Sequence, residues 1–176
     1  VIEALGASAA LRKTAHYSLV GAIDSQEREH LEKLALERNV RLTVHGPLDD
    51  PELHAKLRNA SIVSCLREPV LEGASASAIE AMLHGAAVLV SDAGFYADLP
   101  DDCVAKVPQA TEPVDICKVL EELHSNAGAR ADMGRRARQY AERTFAPDVY
   151  ADALLCLIDD VLWSSAYGPV IASVAQ

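Results

Sequence analysis

Several features that mark particular protein classes are missing from this sequence of 176 residues. No apolar run reaches the ~18 residues of a membrane-spanning helix, and the start of the chain lacks a basic region followed by an apolar one. The four cysteines lie far apart, without a C-x-x-C pair or a nearby histidine, which argues against zinc and disulfides. We therefore expect reduced thiols in a cytoplasmic protein, and leave open a peripheral association with a membrane surface.

Positive charge is also scarce. The sequence has 16 Lys and Arg against 26 Asp and Glu, a net charge of −10, which argues against nucleic acid as the main partner. The one basic cluster alternates with acidic residues, as an exposed helix face does; its members are Arg130, Arg135, Arg136, Arg138 and Arg143. There is no Asp-x-Asp pair, so we predict no metal site.

Apolar segments alternate with amphipathic ones along most of the chain. Strands are predicted at 17–23, 40–45, 61–66, 87–91 and 103–107, separated by helical patterns. This alternation predicts an α/β fold, a Rossmann-like three-layer α/β/α domain whose parallel sheet has about five strands. We place the domain at 1–163 and an apolar tail at 164–176.

Helices are predicted at both ends of this domain and after its second strand. Residues 1–13 read as one helix with Ile2, Leu5 and Leu11 facing inward. Asp49 or Asp50 is expected to cap a helix that follows the strand at 40–45, and further helices are expected at 113–125, 127–143 and from about 148 to 163.

The stretch 61–94 is the candidate functional unit. A strand leads into a loop with Glu72 and Gly73, then a helix from about Ser77 to His84, a stop at Gly85 and a second strand. Loops that follow parallel strands open at the edge where such folds bind ligands. The two carboxylates Glu72 and Glu80 can therefore face one crevice.

The residues between these carboxylates are all small. They let a ligand approach the backbone, and the first N–H groups of a helix can hold a phosphate; they are Gly73, Ala74, Ser75, Ala76 and Ser77. A structural alternative stands beside this interpretation. Ser77 and Glu80 form the S-x-x-E pattern of a capping box, and Glu72 can pair with Arg67 in the loop.

The pattern E-G-x-x-x-x-x-x-E-A-M-x-x-G, an apolar strand and then S-D-x-G resembles the donor-binding half of retaining glycosyltransferases with the GT-B fold, the family-4 group. The matching residues are Glu72, Gly73, Glu80, Ala81, Met82, Gly85, Asp92 and Gly94. A weaker likeness in the order of strands and helices covers about residues 1–160.

The resemblance implies transfer of a sugar from a nucleoside diphosphate sugar to an acceptor, with retention at the anomeric carbon. It implies that Glu72 is the catalytic residue beside the donor sugar, that Glu80 binds the ribose hydroxyls, and that the backbone of 74–77 binds the diphosphate. By the same resemblance Gly46 and Leu48 would contact the base and Gly94 the donor sugar. The nucleotide sugar is then the substrate, and no cofactor or metal is implied.

In this family a strand and a loop with Arg and Lys precede the first helix, whereas this chain opens on the helix. We therefore expect a donor half that lacks the first strand of its domain, with an acceptor-binding N-terminal domain of the same protein as its partner. The sheet should show a gap or an exposed edge next to the strand at 17–23. Two alternatives stay open: a nucleotide-binding or regulatory module without turnover, and a domain like that of a nucleotide-sugar epimerase.

Overall fold

A computed structural model describes residues 1–71 and 73–164 of the chain. Within them the strands are β1 (Tyr17–Val20), β2 (Leu42–Gly46), β3 (Ile62–Cys65), β4 (Ala87–Asp92) and β5 (Val104–Pro108). The helices are α1 (Ile2–Ala7), α2 (Ala9–Thr14), α3 (Ser25–Glu37), α4 (Asp50–Asn59), α5 (Ala76–Leu83), α6 (Pro113–Ser125), α7 (Ala127–Thr144) and α8 (Pro147–Ser164). A short 3₁₀ turn, Gly94–Tyr96, follows β4.

All strand pairs are parallel, as predicted. β1 pairs with β2, and β4 lies between β3 and β5. β4 is the central strand of its sheet, and Ala87 to Ser91 are all buried. A strand covered on both faces reads as a continuous apolar run, which explains why AVLV was recognisable in the sequence.

The five strands form two sheets rather than one. Among the described residues no ladder joins β1 to β3, so each of these strands has one unpaired edge. Tyr17 of β1 and Ile62 of β3 pack against the same core cluster. Burial and the nearby charge of the Cys65 thiolate in β3 also raise the pKa of Tyr17. Of the predicted gap or exposed edge beside β1, the unpaired edge is confirmed among the described residues.

The prediction of a single helix over residues 1–13 is wrong. The helix breaks at Ser8, whose backbone is extended (φ −103°, ψ 124°). The Ser8 side chain accepts the Leu11 N–H and donates to the Glu121 carboxylate on α6. Apolar periodicity alone does not reveal this, because Glu121 lies more than a hundred residues away in the sequence.

The chain divides into two compact units, Val1–Gln139 and Tyr140–Gln176. In the second unit α8 exposes large apolar side chains, among them Tyr150, Leu155 and Val161. The domain bounds of 1–163 stay a prediction, and residues 165–176 of the expected tail lie outside the described residues. None of the described helices is long and apolar enough to cross a membrane.

Candidate functional site

The first turn of α5 begins at Ser75, directly after the loop that follows β3. The Ser75 hydroxyl accepts the N–H of Ala78 at 3.5 Å. The predicted capping box of Ser77 and Glu80 is therefore wrong: Ser77 lies inside the first turn, and Glu80 follows in the next one. Capping does not explain why a glutamate stands at position 80.

The C-terminus of α5 follows the sequence prediction. Gly85 has φ +75°, a conformation that side chains other than glycine rarely adopt. Its N–H donates to the carbonyl of Met82, and the N–H of Ala86 donates to that of Ala81, which is the Schellman arrangement. Ala78, Ala81 and Met82 are buried, so α5 is firmly seated and its N-terminal turn has a fixed direction.

The loop from β3 to α5 is held at its start by Ser91, at the end of β4. The Ser91 hydroxyl donates to the Arg67 carbonyl and accepts the Arg67 N–H, both at 3.1 Å. Ser91 is only 4% exposed, so water competes little for these two bonds. The backbone of the loop therefore leaves the sheet in a defined direction.

The end of the loop is held by Tyr96, in the 3₁₀ turn after β4. Its hydroxyl donates to the Ser75 Oγ at 2.9 Å, and both residues are buried. Between the two attachments the loop packs against Gly94: a Cβ at Gly94 would lie 2.8 Å from Cγ1 of Val70. Gly94 also has φ +52°. β4 and the turn after it therefore form the support of the loop.

The small residues predicted to face a ligand are mostly accessible. Gly73, Ala74, Ala76 and Ser77 are exposed, whereas Ser75 is buried as the cap. A Cβ at Gly73 would meet nothing within 4 Å. Glu80 is half-buried on α5. Glu72 lies outside the described residues, so its catalytic role stays a prediction.

Gly46 and Leu48 lie at the carboxyl end of β2, in the other sheet. Gly46 has φ +70°, and its carbonyl accepts the N–H of Gly21 at 2.9 Å. Leu48 is half-buried in the loop before α4. These contacts explain the glycine as a turn residue, and the assignment of both residues to a nucleotide base stays a prediction, as does the contact of Gly94 with a sugar.

Basic side chains gather near α5 at its opposite end. Burial lowers the pKa of His84, and the charges of His54, Arg58 and Arg138 lower it further, against an opposing effect of Glu80. The rings of His54 and His84 lie 4.9 Å apart between centroids. An eight-residue helix is about 12 Å long, so this positive charge is remote from the N-terminal turn.

Three arginines of the basic cluster on α7 form ion pairs or hydrogen bonds within the protein. Arg136 contacts Asp102 at 3.2 Å, Arg135 contacts Asp132 at 2.7 Å, and Arg130 donates to the carbonyl of Leu123 at 2.6 Å. Among the described residues no group of three or more His, Cys, Asp or Glu could hold a metal ion.

A small cavity lies beside the start of the loop. Its volume is about 130 Å³, and its walls include Arg67, Ser91 and Thr111. Ligand pockets usually measure about 300–1,000 Å³, so this cavity alone is too small for a nucleotide sugar. The exposed turn at 73–77 is the better candidate for ligand contact.

Two supporting residues were missed in the sequence: Ser91 and Tyr96. Signals for both existed. Ser91 is a polar residue at the end of an apolar strand, and Tyr96 is an aromatic residue two positions after the turn glycine Gly94. Neither signal identifies the partner, since both partners lie more than 20 residues earlier in the chain.

The family described as glycosyl transferases group 1 matches residues 1–140 of this chain. No curated protein matches it. Among solved structures, Anabaena HepE in complex with UDP has a TM-score of 0.76 at 17% identity, over 90% of this chain and 44% of HepE. The complex of the same protein with UDP-glucose gives the same values.

Two further structures are similar. Sucrose-phosphate synthase from Thermosynechococcus elongatus has a TM-score of 0.72 at 24% identity, over 93% of this chain and 43% of the synthase. WaaG, a glycosyltransferase involved in lipopolysaccharide biosynthesis, has a TM-score of 0.67 at 23% identity, over 85% of this chain and 39% of WaaG. The chain thus spans less than half the length of these proteins. At this identity the likeness establishes the fold, which agrees with the predicted Rossmann-like α/β domain.

Proposed function

Because this chain belongs to the glycosyl transferases group 1 family, we propose that it is the donor-binding half of a retaining glycosyltransferase. Its ligand is a nucleoside diphosphate sugar. The acceptor is bound by a separate N-terminal domain of the same protein, so that this half binds the donor but completes no transfer alone.

The observation that carries the proposal is the N-terminal turn of α5. It stands at the carboxyl end of β3 and presents Gly73, Ala74, Ala76 and Ser77 to solvent. The helix supplies no internal acceptor for its first N–H groups, so they can bond to a diphosphate. The interaction of a phosphate with the helix dipole contributes about 0.3–1 kcal/mol. Small side chains keep this backbone within reach.

Glu80 binds the ribose in this proposal. An ionised carboxylate can accept a hydrogen bond from each of two neighbouring hydroxyls, and such charge-assisted bonds are the stronger kind. The half-buried position of Glu80 shields these bonds partly from water. Glu72 has the catalytic role in this proposal: its carboxylate stabilises the positive charge that develops at the anomeric carbon during transfer.

The test is calorimetric titration of the chain with UDP, GDP and ADP, repeated with Glu80→Ala. Losing hydrogen bonds to a charged group costs about 1.5–3 kcal/mol, so we expect Glu80→Ala to weaken binding of the preferred nucleotide about 10- to 100-fold. Glu122→Ala, an exposed glutamate on α6, is the matched control and should change nothing. A folded protein that binds none of the three nucleotides, or that binds one equally well without Glu80, would contradict the proposal.

A further inference from the structure

We propose that the C-terminal end of α5 carries a second binding site, which takes a phosphate-type dianion. Its binding groups are His54 and Arg58 of α4, His84 at the end of α5, and Arg138 of α7. Inorganic phosphate, a small phosphate ester and a lipid head group share the required chemistry. The inference does not depend on the proposed function, because these residues lie about 12 Å along α5 from the candidate donor turn.

The first two helices meet through a pair of histidines. His54 and Arg58 are four residues apart in α4, so their side chains lie on the same face of that helix. The rings of His54 and His84 lie 4.9 Å apart between centroids. This contact brings the face of α4 that carries Arg58 to the end of α5.

The third helix is placed by a close backbone contact. Gly134 of α7 packs against Gly85, directly after His84, so closely that a Cβ on Gly134 would overlap the Gly85 carbonyl oxygen. Arg138 follows Gly134 by four residues and lies on the same face of α7. Burial lowers the pKa of His84, and the charges of Arg58 and Arg138 lower it further, which agrees with this placement.

The donors of this cluster have few partners within the protein. The rings of His54 and His84 are half-buried and contact each other, and neither ring forms a hydrogen bond with another described residue. The exposed Arg58 forms no ion pair with any residue that the structure describes, unlike Arg135, which pairs with Asp132. A bound oxyanion would satisfy these N–H groups.

The kind of donor favours a phosphate-type ligand. A guanidinium fork matches two oxygens of a phosphate, and an imidazole adds an N–H donor. A tetrahedral dianion presents oxygens in several directions, whereas a carboxylate presents two in one plane. It therefore suits donors that come from three helices. The protein has a net charge of −10, so this positive cluster is a local feature and not part of a generally basic surface.

Negative charge at the site makes binding depend on pH. The Glu80 carboxylate and the partial charge at the C-terminus of α5 both oppose an anion. They offset part of the arginine charge while the His84 ring is neutral. A bound dianion favours the protonated ring, so it should raise the pKa of His84. Protonation and binding are then linked, and the affinity for a dianion should increase as the pH falls.

The experiment follows the ring signals of His84 by NMR as sulfate, inorganic phosphate or chloride is added at constant ionic strength. It covers about pH 5 to 8, the range in which histidine titrates. Sulfate stays a dianion throughout this range, so any pH dependence of its binding comes from the protein. We expect sulfate and phosphate, but not chloride, to bind saturably and to raise the pKa of His84, and His84→Gln identifies the signals.

Variants of single arginines test the site. Arg58→Gln should weaken sulfate binding about 10-fold, as for loss of a bond to a charged group, and Arg58→Lys should lose less. Arg28→Gln is the matched control, since it removes the same charge from an exposed ion pair on α3 and should change nothing. Chloride that acts on His84 as strongly as sulfate would overturn the inference, and so would Arg58→Gln that binds sulfate as tightly as the unsubstituted chain.

A further measurement separates the sources of the phosphate. The chain is sedimented with phosphatidylcholine vesicles, with and without phosphatidic acid. Sedimentation that requires phosphatidic acid and is lost in Arg58→Gln would identify a lipid head group. Binding of free phosphate without sedimentation would identify a soluble phosphate, and both results support the site. Neither depends on the nucleotide titration, so the donor proposal and this one can fail separately.

Discussion

Gly134 is the residue where a single methyl group should disturb the support of α5 most. It lies within α7, and a Cβ placed there would be 2.0 Å from the carbonyl oxygen of Gly85 and 2.9 Å from its carbonyl carbon. Both atoms belong to the backbone of the turn that ends α5. The contact must open by about 1 Å to reach even the 3.0 Å limit of real Cβ contacts.

Two opposing effects determine the result of Gly134→Ala. Helix propensity favours Ala over Gly by about 1 kcal/mol in a helix interior. Overpacking costs about 1–3 kcal/mol, and we expect the upper end because neither backbone segment can rotate away as a side chain could. The net loss in the free energy of unfolding should be about 1–2 kcal/mol, measured by urea denaturation followed by circular dichroism.

Gly128→Ala is the matched control, since it makes the same change in the first turn of the same helix. Its Cβ would meet only the Asn126 Oδ1, at 3.6 Å, an ordinary contact. This variant should be as stable as the unsubstituted chain or more stable, by up to about 1 kcal/mol. If Gly134→Ala proves equally stabilising, α7 does not approach Gly85 as described and the packing argument fails.

Two smaller predictions concern the helices around the site. The folded protein holds the pKa of His84 below its usual 6.5, so the unfolded chain binds more protons between the lowered pKa and 6.5. The free energy of unfolding should therefore fall as the pH drops through 6.5. His84→Gln should reduce this pH dependence in urea titrations, and an unchanged pH dependence would contradict the assignment. Asp49 accepts the N–H of Glu52 at 2.9 Å, so Asp49→Ala should cost about 1 kcal/mol. Asp50→Ala should cost less, and equal losses in thermal unfolding would refute the choice of cap.

The sequence predicted strands well because their signal is local. β4 is an apolar run covered on both faces, and its predicted and observed starts coincide at Ala87. β1 was predicted three residues too long, since the prediction ran on to Ile23. The strand ends at Val20, where the following Gly21 has φ +130° and its N–H bonds to Gly46.

The errors arose where a distant partner decided the local structure. Ser75 and Ser77 are both acceptable N-caps by their chemistry, and the S-x-x-E pattern favoured Ser77. The buried hydroxyl of Tyr96 bonds to Ser75 instead, and the cap lies there. Ser8 breaks the first helix for a similar reason, because Glu121 accepts its proton. Such pairings depend on the tertiary fold, and a single sequence does not contain them in readable form.

The division of the strands into two sheets has a consequence for handling the protein. Among the described residues no strand pairs with the outer edge of β1 or of β3, although both strands adjoin the core. Strand edges of this kind are templates for other chains, and natural proteins usually cover or charge them to prevent aggregation. Tyr17, Leu19, Ile62 and Val63 on these strands supply no charge. At high concentration the isolated chain should therefore associate through these edges, most readily with extended, apolar segments of other molecules. Its solubility should depend more on whether these edges are covered than on its net charge.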